Sequence, residues 1–374
     1  MKKCVNIYTE WGKLEEVIIG SHYQTHIDNL DTSMELLFHD NLVRLKRKYP
    51  NDSYTIKKKY VDEREEDCLH LIEFLTKECN ITVRRPEPIK HIKRFTTPYW
   101  DAITKACDNP RDQVLVVDDR IIETSCLLRN RFFENDLLKP ILYDYYRQGA
   151  RWICSPRPMM LEKSFDRCYT EKRSSTASND FEIMFDAAQC LKFGKDILVN
   201  VSTHNHELGF QWLERELGHE FRCHKISVID NHLDGAIMPL RPGVLLISDK
   251  MKGKTRLLPQ PLQNWDMLYM QDKDLSKYSE DELLLASNRI TVNVLSLDTE
   301  RILINEHATE TIRVLEKRGF MPIPFKFRHS RIFGGGLHCV SLDIRRDEVL
   351  EDYFSDTPEN KKWIEKNFPK DSQE

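Results

Sequence analysis

The chain has 374 residues, 40% of them hydrophobic, which is enough to bury a substantial core in one large domain or two ordinary ones. Its 56 basic and 60 acidic residues nearly cancel, so it lacks the one-sided positive field of a nucleic-acid binder, and no stretch approaches the roughly 20 apolar residues that span a bilayer. Ten cysteines without a CxxC pair fit reduced thiols better than a disulfide framework or zinc site, and the polar start MKKCVNIYTEWGKLEEV has no signal-like apolar run, so the expectation is a cytoplasmic protein.

EEVIIG at 15–20 reads as a strand, and NDSYTIKKKYVDEREED at 51–67 as a charged insertion. HLIEFLTKECNITVRRPEP (70–88) then introduces a pattern of helix-like stretch, polar or glycine stop, and short strand. It recurs in LYDYYRQGARWICSPRP (142–158), FQWLERELGHEFRCHKIS (210–227) and TIRVLEKRGFMPIPFKF (311–327). VLVVDDRIIET (114–124) and VLSLDTERILI (294–304) read as β-hairpins, while DILVNVS (196–202) and GVLLIS (243–248) supply further strands. About five ββαβ-type modules result. Modules that each expose an apolar face must stack on neighbours, and a closed radial arrangement also protects their edges. A ring around a central channel therefore ranks ahead of a doubly wound α/β sheet, which does not predict such frequent hairpins. A polar loop, YTEKRSSTASND at 169–180, interrupts the modules, and the chain ends in a surface helix with a charged tail.

Four places carry chemistry. Asp112 in NPRDQVLVVDD stands at the entry of an apolar strand, where it either serves an Asx-type turn or points into whatever the strands surround. Asp186 in EIMFDAAQC is flanked by apolar and small residues, unlike a solvated acid, although a helix N-cap is an alternative. His232 and Asp234 in NHLDG are two apart on a predicted strand and would share a face, as a cavity pair or as surface residues. HxD could also supply two metal ligands, yet no HxH or HExxH pattern completes a set. Cys339 follows three glycines in GGGLHCVSLDIRR. The glycines run into a strand-like sequence rather than a helix, which argues against a phosphate cradle and for close backbone approach to a reactive thiol. His338, as the neighbouring strand residue, is expected to point away from the thiol. Carboxylates can clamp a planar guanidinium, a thiolate can attack its carbon, and an imidazole can protonate the departing amine.

In order along the chain, EWGKLEEVIIG, ITVRRPEP, NPRD, RIIET, RNRFFE, FDAA, HLDG, RPG, NVLSLD, GGGLHC and LDIRR resemble the motifs of the arginine amidinotransferases over nearly the whole length. The resemblance implies a fivefold pseudosymmetric α/β propeller of ββαβ modules around a central active-site channel, as one domain over 1–360 with a charged tail at 361–374. It implies catalytic roles for Cys339 as nucleophile, His232 as general acid and base, and Asp186 as its partner. Asp112, Asp234, Asp230, Asn231, Thr291, Asn293 and Ser341 would contact substrate. L-arginine would donate its amidino group through an amidino-cysteine and leave as L-ornithine, an amine would accept it, and no metal or organic cofactor is implied. Small-molecule substrates, a homodimer, and no nucleic-acid or membrane partner complete the expectation. Glycine-using members have Asn-Pro-Met before the catalytic histidine, whereas Ile229, Asp230 and Asn231 stand here; Met251 lies near the position of their carboxylate-binding arginine, with Lys250, Lys252 and Arg256 as substitutes. These departures point to an acceptor larger than glycine, with a saxitoxin-type alkylamine in specialised metabolism preferred. The alternatives are glycine as acceptor, a guanidine hydrolase of the same superfamily, and a non-catalytic binding protein.

Overall fold

The computed structural model describes residues 3–25, 31–38, 56–91, 93–167, 180–270 and 290–368. Its strands form five three-stranded sheets and one two-stranded hairpin among the described residues. In the first sheet, β1 (Lys13–Ile19) pairs in parallel with β2 (Thr82–Arg84), the two being connected through α1 (Lys58–Glu73). The small hairpin follows, with β3 (Arg94–Thr96) antiparallel to β4 (Asp101–Ile103).

The second sheet is a hairpin of β5 (Val114–Val117) and β6 (Arg120–Glu123), then α2 (Lys139–Arg147), then β7 (Arg151–Cys154) parallel to β6. The third repeats this plan with β8 (Cys190–Phe193), β9 (Asp196–Asn200), α3 (His204–Leu217) and β10 (Arg222–Ile226). The fourth contains β11 (Ile237–Arg241), β12 (Val244–Ser248) and β13 (Asp266–Met270), with two 3₁₀ turns at 249–251 and 255–257 and a four-residue helix at 260–263 in the crossover. The fifth contains β14 (Leu295–Ser296), β15 (Arg301–Asn305), α4 (Thr309–Lys317) and β16 (Met321–Phe325). The chain returns through β17 (Ser341–Asp347), which pairs antiparallel with β1 and gives the first sheet its third strand. No continuous doubly wound sheet forms among these residues.

Strands β5, β8, β9 and β12 are buried along their whole length because both faces are covered, whereas β2, β7 and β16 stay partly exposed. Ile18 and Ile344 of the first sheet pack with Val114 and Ile121 of the second. Leu115 and Ile122 of the second meet Ile197 and Val199 of the third. Leu191 and Leu198 continue to Ile237 and Ile247 of the fourth, and Leu246 and Leu268 to Ile302 and Ile304 of the fifth. Leu295 and Leu303 then share a cluster with Leu14 and Val17 of the first.

One sequence expectation changes. The charged run at 51–67 is no insertion from residue 58 onward, because that part is the first half of α1. Its Arg64, Glu65 and Asp67 are buried, and each has a distant partner: Arg64 donates to the Arg328 and Gly335 carbonyls, Arg85 to Glu65, and Arg328 to Asp67. Residues 51–55, and all but Asp180 of the polar loop at 169–180, lie outside the described residues. At the C-terminus, α5 (Pro358–Asn367) crosses position 360, and its Trp363 stacks on His224 with centroids 5.7 Å apart. Among the described residues no helix is long and apolar enough to cross a membrane.

Candidate active site

Cys339 does not lie in a strand. It occupies a turn at 337–340, just ahead of β17. Gly334 has φ +72°, a left-handed conformation that favours glycine. The next two glycines are required by space: a Cβ on Gly335 would stand 2.4 Å from Asn109 Oδ1, and one on Gly336 2.6 Å from Asn293 Oδ1. Asn293 binds the turn closely. Its Oδ1 accepts the backbone N–H of both His338 and Cys339 at 3.1 Å, and its Nδ2 donates to Cys339 Sγ at 3.1 Å and Asp234 Oδ2 at 3.0 Å. Arg111, from the NPRD motif, donates Nε to the carbonyls of His338 at 2.8 Å and Ser341 at 2.6 Å. The Ser341 hydroxyl donates to the Leu337 and His338 carbonyls at 2.8 and 3.1 Å, so it braces the turn from within.

The turn also changes the expectation for His338. Because strand alternation does not apply, His338 and Cys339 reach the same carboxylate: Cys339 Sγ donates to Asp234 Oδ2 at 3.2 Å and His338 Nδ1 to the same oxygen at 2.9 Å. The far nitrogen, Nε2, is 3.4 Å from Glu10 Oε2, and Glu10 pairs in turn with Lys192 at 2.7 Å.

His232 and Asp234 lie in the loop between β10 and β11, not on a strand, and they face different partners. His232 Nε2 donates to Asp186 Oδ2 at 2.8 Å, and its Nδ1 is 3.9 Å from Asp112 Oδ1. Asp186 is the N-cap residue of a single 3₁₀ turn at 187–189 and also faces His232, so the capping and site readings of the sequence coexist. Its other oxygen accepts from Gln113 Nε2 at 3.1 Å. Asp112 sits in a helical turn at 110–113, two residues before β5. Its Oδ2 accepts from Arg131 Nη1 at 2.7 Å, whereas Oδ1 is buried and accepts no hydrogen bond among the described residues.

The charges of the two halves act on one another. Burial opposes protonation of His232, but Asp112, Asp186 and Asp234 outweigh it and raise the imidazole to about 9. Burial pushes the Cys339 thiol well above its ordinary range, and Asp234 and Asp112 add to that. Burial also raises the Asp112 carboxyl despite Arg131 and His232. Burial would raise Asp186 and Asp234 too, yet His232 holds the first below the usual carboxylate range and His338 the second. The site thus combines a protonated imidazole, a protonated thiol and carboxylates with capacity for a further cation.

Thr291 is buried two residues before Asn293. Asp230 and Asn231 instead border a partly open cleft, which Leu36, Leu37, Phe165 and Met184 also line. Met251 belongs to the core cluster around Trp11, while Lys250, Lys252 and Arg256 are exposed. Arg111, Arg131 and the His338–Glu10 contact were not expected as parts of the site. NPRD and RNRFFE contain the two arginines; Arg111 reaches His338 and Ser341, 227 and 230 residues away, whereas Arg131 pairs with Asp112, 19 residues upstream, and with Glu134 in its own motif.

A comparison with protein-family profiles finds no match. The chain is 31% identical over 363 residues to the L-arginine:L-lysine amidinotransferase of Pseudomonas savastanoi pv. phaseolicola, covering 93% of this chain and 96% of that one. It is 32% identical over 346 residues to inosamine-phosphate amidinotransferase 1 of Streptomyces griseus, covering 91% and 97%. The solved structure of the S. griseus enzyme superimposes with a TM-score of 0.82 over 94% of this chain and 99% of that one at 31% identity. SxtG, an amidinotransferase from Microseira wollei in the saxitoxin biosynthetic pathway, gives 0.81 at 31% identity over the same shares. On relatives that match over nine-tenths of its length, the chain belongs to the amidinotransferase family and is a transferase of amidino groups.

Proposed function

We propose that Cys339 takes the amidino group of L-arginine as a covalent amidino-cysteine and passes it to an amine. The observation that carries this reading is the electrostatic setting of the thiol. Asp234 and Asp112, the two carboxylates that oppose its ionisation, are acceptors that a guanidinium cation would neutralise. Asp112 Oδ1 is a buried acceptor with no donor among the described residues, so it can take one N–H of the guanidinium while Oδ2 stays with Arg131. Binding of the cation therefore lowers the cost of the thiolate, whose proton leaves to solvent by way of Asp234 Oδ2, the acceptor of the S–H. The thiolate attacks the guanidinium carbon, the bond to the ornithine nitrogen breaks, and His232 supplies the proton to that nitrogen through Nδ1, since Nε2 is held by Asp186. Deprotonated His232 then takes a proton from the incoming amine.

In this reading the described residues form a single domain. The five hydrophobic clusters join each sheet to the next and the fifth to the first, which supports a fivefold propeller with the site in its channel. The acceptor is larger than glycine and belongs to specialised, saxitoxin-type metabolism, as the similarity to SxtG supports; the enzyme works in the cytoplasm as a homodimer. The test is a half-reaction. With arginine alone, the wild type should release ornithine stoichiometrically and gain the mass of one amidino group on the peptide bearing Cys339. Cys339→Ser and Cys339→Ala should lose transfer by about 10,000-fold or more. Retained transfer in either variant would remove the assignment.

A further inference from the structure

The cavity next to His232 has a distinct chemical character. Its lining combines the apolar side chains of Leu36, Leu37, Phe165 and Met184 with Asp230 and Asn231. Asn231 precedes His232 and Met184 lies two residues before Asp186, and His206, another lining residue, is close enough to feel the charges of both His232 and Asp186. Asn231 Oδ1 is buried and accepts no hydrogen bond among the described residues. Asp230 is exposed at the rim. Asp166 is a second carboxylate in the lining, and no described lining residue is Lys or Arg. A phosphate or carboxylate placed here would be desolvated beside two carboxylates, with no lysine or arginine among the described lining residues to offset it. An ammonium or amide donor would meet acceptors, and a hydrocarbon chain would meet leucine, phenylalanine and methionine.

We propose that this cavity holds the body of the acceptor, and that the acceptor is an alkylamine with an apolar chain and a second cationic group, not an amine that carries a carboxylate or phosphate. This rests on the reading of Cys339 as amidino carrier. One amine of the acceptor attacks the amidino carbon, the C–S bond breaks, and the proton lost by that amine passes through His232 to the released thiolate. The second cation remains in the cavity between Asp230 and Asn231 Oδ1. The products are the mono-guanidinylated diamine and free Cys339.

The experiment gives the full-length enzyme arginine with pentane-1,5-diamine, pentan-1-amine, 6-aminohexanoate, glycine or O-phosphoethanolamine, and follows ornithine and guanidinylated product by mass spectrometry. The diamine should exceed 6-aminohexanoate in kcat/KM by about tenfold or more, with the uncharged-tail amine between them. Asp230→Lys, or Asp230→Asn if the first variant folds poorly, should reduce that ratio by at least about fivefold. Preference for 6-aminohexanoate, glycine or the phosphorylated amine would overturn the proposal, as would an unchanged ratio in both variants. Ornithine release and the Cys339 adduct with arginine alone distinguish the two levels: if they fail, the carrier reading falls; if they occur and the diamine is rejected, only the acceptor assignment falls.

Discussion

At His232 three carboxylates, Asp112, Asp186 and Asp234, outweigh burial. The imidazole is held by Asp186 at 2.8 Å and faces Asp112 at 3.9 Å, and its affinity for a proton rises to about 9 from an ordinary value near 6.5. A group whose pKa is higher in the folded state stabilises the fold fully below its unfolded value and loses that contribution as pH rises through the folded value. The stability difference between wild type and His232→Asn in urea unfolding should therefore be largest below about pH 6.5 and shrink as pH passes about 9. NMR of the labelled ring in the free enzyme should show a midpoint near 9, moving down in Asp186→Asn. A wild-type midpoint at or below 6.5 would contradict the arrangement. The residue types of this site were legible because FDAA and HLDG place acids and a histidine among apolar neighbours. The facing was not legible. Asp234 turns to Cys339, 105 residues away, while His232 turns to Asp186, 46 away in the other direction, and two-residue spacing cannot encode that divergence.

At the scale of elements, the hairpins could be read directly, since VLVVDDRIIET is two apolar runs around a charged turn and folds as β5 and β6. Helix α1 could not, because its buried charges look solvated until Arg328 is placed on Asp67 and the Gly335 carbonyl on Arg64 Nη2 at 2.7 Å. Those contacts tie α1 to the segment that delivers Cys339. The turn at 337–340 was misread for a related reason: the apolar letters after the glycines suggest a strand, whereas Asn293, 46 residues upstream of Cys339, takes up its backbone N–H and keeps it out of the ladder. Gly336 is where this depends on a missing side chain. In Gly336→Ala the new Cβ would meet Asn293 Oδ1 at 2.6 Å and its backbone carbonyl oxygen at 3.0 Å, so the turn or the asparagine must move. A cost of about 1–3 kcal/mol in stability is expected from overpacking. Displacement of the thiol by even about 1 Å should reduce transfer by about 100-fold. Thermal unfolding and the arginine half-reaction, measured on the same variant, check both effects; normal amidino-cysteine formation would show that Asn293 does not fix the thiol.

For the whole molecule, the relevant fact is that each sheet is too small to bury its own faces. Three strands of three to seven residues leave both surfaces of β1 to be covered by other parts of the chain. Ile18 does this on the side of the second sheet, and Leu14 and Val17 on the side of the fifth. β17 brings Ile344, fully buried, into the same cluster as Val114 and Ile121, so the last strand contributes to a core otherwise made by residues 5–150. On its other side β17 is tied to the fifth sheet by Arg346, which donates to the Ser296 carbonyl at 3.0 Å and pairs within its own strand with Asp343 at 2.7 Å. With clusters shared in succession, loss of one boundary removes a wall from two sheets. Such coupling predicts a single cooperative unfolding step in place of sheet-by-sheet melting. Ile344→Ala should cost about 2–5 kcal/mol. The loss should appear as a lower urea midpoint at unchanged slope, with far-UV circular dichroism and tryptophan fluorescence remaining coincident. Trp11 and Trp265 make this informative, because they lie in the cluster between the third and fourth sheets, away from the mutated seam. If β17 were only a local clasp, the variant would lose secondary structure around β1 first while the Trp11–Trp265 signal kept the wild-type midpoint, and the shared-core account of this fold would fail.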